Sequence, residues 1–179
     1  DRLFSFEQES RGLEAIFLES FATGRVDHEL GFGLDVRRHR TEEFRDGVET
    51  GLSDGTDSRT ILGEVFPLRD FPITTTTEWG AYVEDTVSLG GWSVVAALRA
   101  DNYEMQPRVD SMYAEDYPFA EPVSITASEV SPKLGVVGRL PSSTEVYFQY
   151  AHGFRAPPYE DANISLDIPL FNIRAVPNP

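Results

Sequence analysis

Between residues 26 and 37 the chain changes character at every step. Val26, His28, Leu30, Phe32, Leu34 and Val36 share one side of an extended backbone, while Asp27, Glu29, Gly31, Gly33, Asp35 and Arg37 share the other. Successive side chains of a strand point to opposite faces, so a period of two with unlike sides specifies a β-strand lying between two unlike media. The same period recurs in residues 79–89, 92–103, 133–140 and 145–152. In the first of these, Asp85 interrupts the apolar side formed by Trp79, Ala81, Val83, Val87 and Leu89. Residues 3–22 are strand-like but less regular, and read as one long strand or as two short ones around Gly12. The expected fold class is all-β, an antiparallel up-and-down meander of about six strands.

The connections alternate in length. Short turns rich in glycine, proline and serine stand at 22–25, 90–91 and 141–143, and long excursions at 41–77, 104–131 and 153–179. Those turn residues preset the backbone that a reversal needs. Soluble sheets usually join strands by loops of about two to six residues. Transmembrane barrels instead keep short turns on one side of the membrane and long loops on the other. Ten residues at about 3.3 Å each, tilted near 45°, reach about 25 Å, the height of such a barrel's apolar band. Trp79, Trp92, Tyr103 and Tyr150 lie near strand ends and fit interfacial girdles. Long loops would gather on one edge of the sheet and short turns on the other.

About six strands cannot close such a barrel, and unpaired strand edges do not occur in hydrocarbon. Residues 1–179 are therefore expected to be one section of a larger barrel. The start at Asp1 without methionine and the end at Pro177-Asn178-Pro179 are read as cuts through a longer chain.

Charge points to loops. The net charge is −15, and residues 41–78, with nine acids and three bases, and 103–131, with six acids and one base, hold most of it. The acidity is expected in the excursions rather than in the periodic segments. An acidic surface argues against a nucleic-acid partner, whose phosphates call for Lys and Arg. A hydrophobic content of 40% argues against disorder. With no cysteine, neither a disulfide framework nor a thiol nucleophile arises, and no apolar run approaches the roughly 18 residues of a membrane helix.

Residues 131–158 add a family resemblance. Ser131-Pro132-Lys133-Leu134-Gly135, then Val146-Tyr147-Phe148-Gln149-Tyr150-Ala151-His152-Gly153 and the Phe154-Arg155-Ala156-Pro157 box, resemble the late barrel of TonB-dependent outer-membrane receptors. The Pro177-Asn178-Pro179 end is similar to the start of a second box of the haem and haemoglobin subgroup. The stretch from Phe66 to Asp85 resembles a loop returning into a strand in that subgroup. The resemblance implies a barrel of about 22 strands with an N-terminal plug, in the outer membrane of a Gram-negative bacterium. Such a receptor takes up haem or haemoglobin from outside, powered by the inner-membrane TonB complex. It does no chemistry and binds no cofactor covalently; haem would be cargo. The plug and the final strands are expected to lie outside this chain.

On that resemblance the ligand-path candidates are His152, Phe154, Arg155, Ala156, Pro157, Tyr159, Pro177, Asn178 and Pro179. Each also has a structural reading. His152 fits a strand-end aromatic, Pro157 fixes backbone where a strand becomes a loop, and Arg155 would pair with a lumen carboxylate. One departure from the subgroup matters: residues 158–176 contain no histidine, and Tyr159 is the one side chain there suited to axial ligation of haem. His28 and His39 read as strand residues at the inner interface and at a strand's outer end. Asp54-Gly55-Thr56-Asp57 lacks the spaced ligands and distal Glu of a calcium loop and reads as a turn. The paired acids Glu42-Glu43 and Glu115-Asp116 read as solvated loop residues. No nucleophile elbow, phosphate loop or metal-spaced histidine cluster is present. The remaining readings are a siderophore receptor of the same superfamily, and a secreted soluble β-domain such as an adhesin or carbohydrate-active enzyme, in which the apolar faces would pack together.

Overall fold

The structure is a computed structural model describing residues 1–141, 143–156, 163–168 and 173–175. Its strands are β1 (Arg2–Thr23), β2 (Val26–Gly47), the short β3 (Glu49–Thr50), β4 (Asp57–Ser58), β5 (Thr60–Ile61) and β6 (Glu64–Val65), then β7 (Ile73–Leu89), β8 (Trp92–Arg108), β9 (Ile125–Leu140), β10 (Thr144–Ala151), β11 (Leu166–Ile168) and β12 (Ile173–Ala175). One helix, α1 (Ser111–Asp116), lies between β8 and β9. Six strands form one antiparallel sheet in the order β1-β2-β7-β8-β9-β10. It is the expected meander, with β1 and β10 as its ends. Residues 3–22 belong to a single long strand, paired without interruption from Arg2↔Gly47 to Thr23↔Val26. Glycine makes two of the short turns: Gly24 and Gly90 sit at φ 68° and 59°, a region a Cβ disfavours.

Register decides which side chains share a face. Leu13, Val36, Trp79, Asn102 and Ser128 are successive cross-strand partners and so lie on one side. That side carries Phe17, Phe32, Leu34, Val83, Trp92, Leu98, Leu134, Val146 and Phe148, each at least 40% exposed. No second layer of described residues covers it, so the apolar faces do not pack on one another as a soluble sandwich requires. The opposite side carries Asp35, Tyr82, Glu84, Arg99, Asp101 and Lys133.

Asp85 lies on the apolar side by register, opposite Leu30. The structure supplies its partner: His28 Nδ1 is 2.8 Å from Asp85 Oδ2, and the Phe21 ring stacks on the imidazole at 4.7 Å. The pair sits near the short-turn end, where an apolar band meets polar surroundings.

Several expectations need correction. The long excursions are much shorter than 41–77 and 104–131, because β2, β7, β8 and β9 run on through Gly47, from Ile73, through Arg108 and from Ile125. Beyond Val36 the outer side turns largely polar while Met105, Ile125 and Ala127 stand on the inner side, so the period-two contrast fades while the hydrogen-bonded ladder continues. Glu42, Glu43, Asp46 and Glu104 are accordingly strand residues, and the acidity does not belong to loops alone. His39 lies within β2 rather than at its end, paired with Thr76, with Nε2 3.9 Å from Glu78 Oε2. Tyr103 is no girdle aromatic: it faces the charged side, is 5% exposed, and packs with Met105 under Ile125, Ala127, Phe154 and Ala156. Trp79, Trp92 and Tyr150 do lie exposed on the apolar side.

Candidate ligand-facing site at the long-loop end

The charged face is a wall of compensated ions. Arg99 donates from Nη2 to Asp35 Oδ1 at 2.9 Å and from Nε to Asp101 Oδ1 at 2.8 Å. Its guanidinium crosses the strand between them at Gly80, where an added Cβ would collide with Nη2. Glycine lets the guanidinium lie across the strand, and Asp35, Gly80 and Asp101 stand across one rung. Lys133 reaches Glu84 at 3.0 Å one step nearer the short turns. Glu84, Arg99, Asp101 and Lys133 line an open cleft of about 510 Å³ with Tyr82, His152 and Phe154.

Above the wall three connections close together. Between the Thr41↔Thr74 pair and the Arg45↔Leu68 bridge, β2 spends four residue steps and its partner six. The two extra residues form a bulge that turns Arg69 and Asp70 out of the ladder. Arg69 is 5% exposed. Its Nη1 donates to the Glu43 carbonyl at 2.6 Å, Nη2 to Glu42 Oε1 at 3.0 Å, and Nε lies 3.2 Å from Asp110 Oδ2. Asp110 also caps α1 by accepting from the Tyr113 N–H at 3.0 Å. Asp70 accepts from both sides: Arg45 Nη1 at 2.8 Å and 3.0 Å, and the Tyr117 hydroxyl at 3.2 Å. One short bulge thus ties β2 to both long loops.

Burial changes the acids here. Glu43 is 1% exposed; its Oε2 accepts the Asp70 N–H at 2.8 Å while Oε1 has no hydrogen-bond partner among the described residues. Burial pushes its pKa up to about 7, and the nearby Asp70 carboxylate adds to that. Asp116 is likewise pushed up to about 6, chiefly by burial and then by Glu115 and Asp70. The expectation that Glu42-Glu43 and Glu115-Asp116 are solvated pairs therefore fails at Glu43 and Asp116. Both were hidden from a one-dimensional reading because their cover comes from distant segments.

The segment after β10 folds onto the same assembly. Phe154 and Ala156 cover Tyr103 and Met105. Further on, Asn163 accepts the Val123 N–H at 2.7 Å and donates to the Val123 carbonyl at 3.0 Å. The Ser165 N–H donates to the Asp70 carbonyl at 2.9 Å, and its hydroxyl meets that of Tyr113 at 2.7 Å. Both Asn163 and Ser165 are fully buried.

Of the candidates read from the sequence, the structure brings His152 and Phe154 to one cleft and places Ala156 beside Phe154. His152 is exposed and follows the last residue of β10; its N–H donates to the Pro132 carbonyl at 3.0 Å. Arg155 is exposed and has no carboxylate partner among the described residues, contrary to its expected ion pair. Pro157, Tyr159, Pro177, Asn178 and Pro179 lie outside the described residues. The Asp54 turn is a turn: Asp54 Oδ1 accepts from Thr56 N and Oγ1, and Gly55 sits at φ 68°. Sequence reasoning missed the Glu43, Arg45, Arg69 and Asp70 cluster. Its one visible signal is Pro67 and Pro72 bracketing Arg69-Asp70, where restricted backbone marks a built corner.

A sheet with one bare apolar side, one charged side and its long connections folded over one end matches a known profile. Residues 3–179 match the family described as TonB dependent receptor-like, beta-barrel. The chain belongs to that family. Two solved structures share the fold. One is the ferric citrate transporter FecA in its unliganded form, with a TM-score of 0.59, 20% identity, and 82% of this chain aligned to 20% of that one. The other is BauA, the ferric preacinetobactin receptor of Acinetobacter baumannii, with a TM-score of 0.58, 16% identity, and 82% of this chain aligned to 22% of that one. This receptor chain thus spans about a fifth of the length of the structures it matches. No curated protein matches the sequence.

Proposed function

We propose that residues 1–179 are a barrel-wall section of an outer-membrane receptor of a Gram-negative bacterium that imports an iron source. The energy would come from the inner-membrane TonB complex acting through a plug domain elsewhere in the protein. The observation that carries this is the bare apolar side of the six-stranded sheet. Its exposed Phe, Leu, Val and Trp side chains would be an aggregation hazard in water and suit hydrocarbon. The receptor's work is binding and passage rather than chemistry, with the compensated ions of the inner face forming a wet lumen wall and the long-loop end meeting ligand.

For the cargo, the Phe154-Arg155-Ala156-Pro157 box and the Pro177-Asn178-Pro179 end favour haem or haemoglobin, by their resemblance to that subgroup. The absence of histidine from residues 158–176 favours capture of a haem-carrying protein over direct ligation of haem by this loop. A ferric siderophore is the second reading, favoured by the ligands named for FecA and BauA. Deleting the gene and growing cells on haem, haemoglobin or ferric siderophores as sole iron source separates the two. Growth lost only on haem sources supports the first reading, and growth lost only on a siderophore replaces it with the second. Recovery of the folded parent protein from the soluble fraction without detergent would end both.

A further inference from the structure

The apolar side of the sheet ends abruptly toward the long loops. On β1 and β2 it runs through Phe17↔Phe32, Ala15↔Leu34 and Leu13↔Val36, and the next rung is Arg11↔Arg38. The rung after that is Glu9↔Arg40, and only then comes the acidic rung Glu7↔Glu42. Two arginines directly opposite one another on adjacent strands repel, and they do so here in a chain of net charge −15. Internal carboxylates answer the repulsion in part. Arg11 bonds Glu9 through Nε at 3.0 Å and again through Nη2, and Arg40 Nη2 lies 2.8 Å from Glu42 Oε2. Arg38 has neither a hydrogen bond nor an ion pair among the described residues. Arg11, Arg38 and Arg40 line a shallow cleft of about 190 Å³ together with Glu9 and Thr75.

The position of this cleft selects its occupant. From Val26 to Val36 the apolar side of β2 spans ten residue steps, about 25 Å of height at the usual tilt, so Val36 marks the outer limit of hydrocarbon. Arg38 lies two steps further, about 5 Å above that limit. An arginine there reaches the layer of lipid phosphates, and its planar fork matches a phosphate bidentately. At the short-turn end the same side carries Phe21↔His28 and Thr23↔Val26, with no such pair. The cationic rung faces only the leaflet on the long-loop side.

We propose that Arg11, Arg38 and Arg40 form a binding site for the phosphomonoester of an outer-leaflet phosphoglycolipid, with Thr75 as a further hydrogen-bonding group. The bound phosphate relieves the Arg11–Arg38 repulsion and anchors the wall at the outer interface. The inference rests on the membrane orientation under Proposed function, and its test separates the two.

The test uses the full-length receptor, reconstituted and checked for insertion by its heat-modifiable mobility, with binding of lipid A measured beside that of its dephosphorylated form and of inorganic phosphate. The expected result is preferential binding of phosphorylated lipid A, weakened about tenfold or more by the triple variant R11Q/R38Q/R40Q and to a lesser degree by Arg38→Gln alone. Inorganic phosphate at equal concentration is expected not to compete. The single variant keeps the test decisive should the triple variant insert poorly. If inserted variants bind lipid A as the wild type does, if the dephosphorylated lipid binds equally well, or if inorganic phosphate competes at equal concentration, the lipid site is wrong while the barrel reading stands. Failure of the wild-type receptor to insert overturns the barrel reading itself.

Discussion

The lower and upper parts of the same strands obey different rules. From Val26 to Val36, β2 carries an apolar side and a polar side, and each side chain's character follows from its parity. From Arg38 to Gly47 the backbone ladder is unchanged, yet Arg38, Arg40 and Glu42 stand on the side that Phe32 and Leu34 occupied below. In the lower part the surroundings on either side decide the sequence. In the upper part the sheet is held by contacts with loops brought from 25 or more residues away, as in the bonds from Arg45 to Asp70 and from Arg69 to Glu43.

The comparison is sharpened most by Arg69→Ala. Removing a 6% exposed guanidinium side chain takes from Asp110 its ion pair and leaves Glu42 with Arg40 alone, and losing the contacts of one buried guanidinium costs about 3–5 kcal/mol. Amide exchange and proteolysis are expected to increase across residues 48–72 and 109–124 while the lower strands stay protected. Loss of protection throughout the sheet would show the two parts to be one cooperative unit. Next comes a matched pair on the apolar side, Phe32→Lys and Phe44→Lys. The first places a charge in the lipid band at a cost of about 2–4 kcal/mol, and the second, 12 residues further along β2, costs less than about 1 kcal/mol. Denaturant unfolding from vesicles measures both, and equal costs would break the comparison.

A smaller effect is expected from pH. Glu43 has its pKa raised to about 7 by burial, so its neutral form stabilises the loop cap. That contribution is complete below the unfolded value near 4.5 and is lost as pH rises through about 7, at most about 3 kcal/mol in all. Protection of residues 48–72 should fall across this window, and Glu43→Gln should flatten the fall. An unchanged slope in the variant would assign the dependence to Asp116. Smallest is Gly80→Ala. The Arg99 guanidinium must move off the strand, and because it is a flexible side chain the cost is about 1 kcal/mol, read by denaturant unfolding.

The lower strands are legible because unlike sides, one apolar and one polar, impose a rule on every second residue. Parity placed Phe32, Trp79, Trp92 and Tyr150 correctly. It marked Asp85 as an exception without revealing His28 as the reason, since 57 residues separate the two. The upper strands read from the sequence as loops at 41–47, 73–78, 104–108 and 125–131, because apolar residues there no longer keep to one face: Phe44 stands on the outer side, and Met105, Ile125 and Ala127 on the inner. Tyr103 shows the same limit: its parity was right, but Phe154, which covers it, lies 51 residues away.

The sequence by itself determined the two-sided lower strands, their alternation, the short turns and the family, because each depends on neighbouring residues or on a spaced motif. Only the tertiary structure decided how far the strands continue, that Glu43 is buried and Asp116 half-buried, and that Arg11 faces Arg38. Those properties depend on cross-strand register and on cover from distant segments, and neither leaves a periodic trace along the chain.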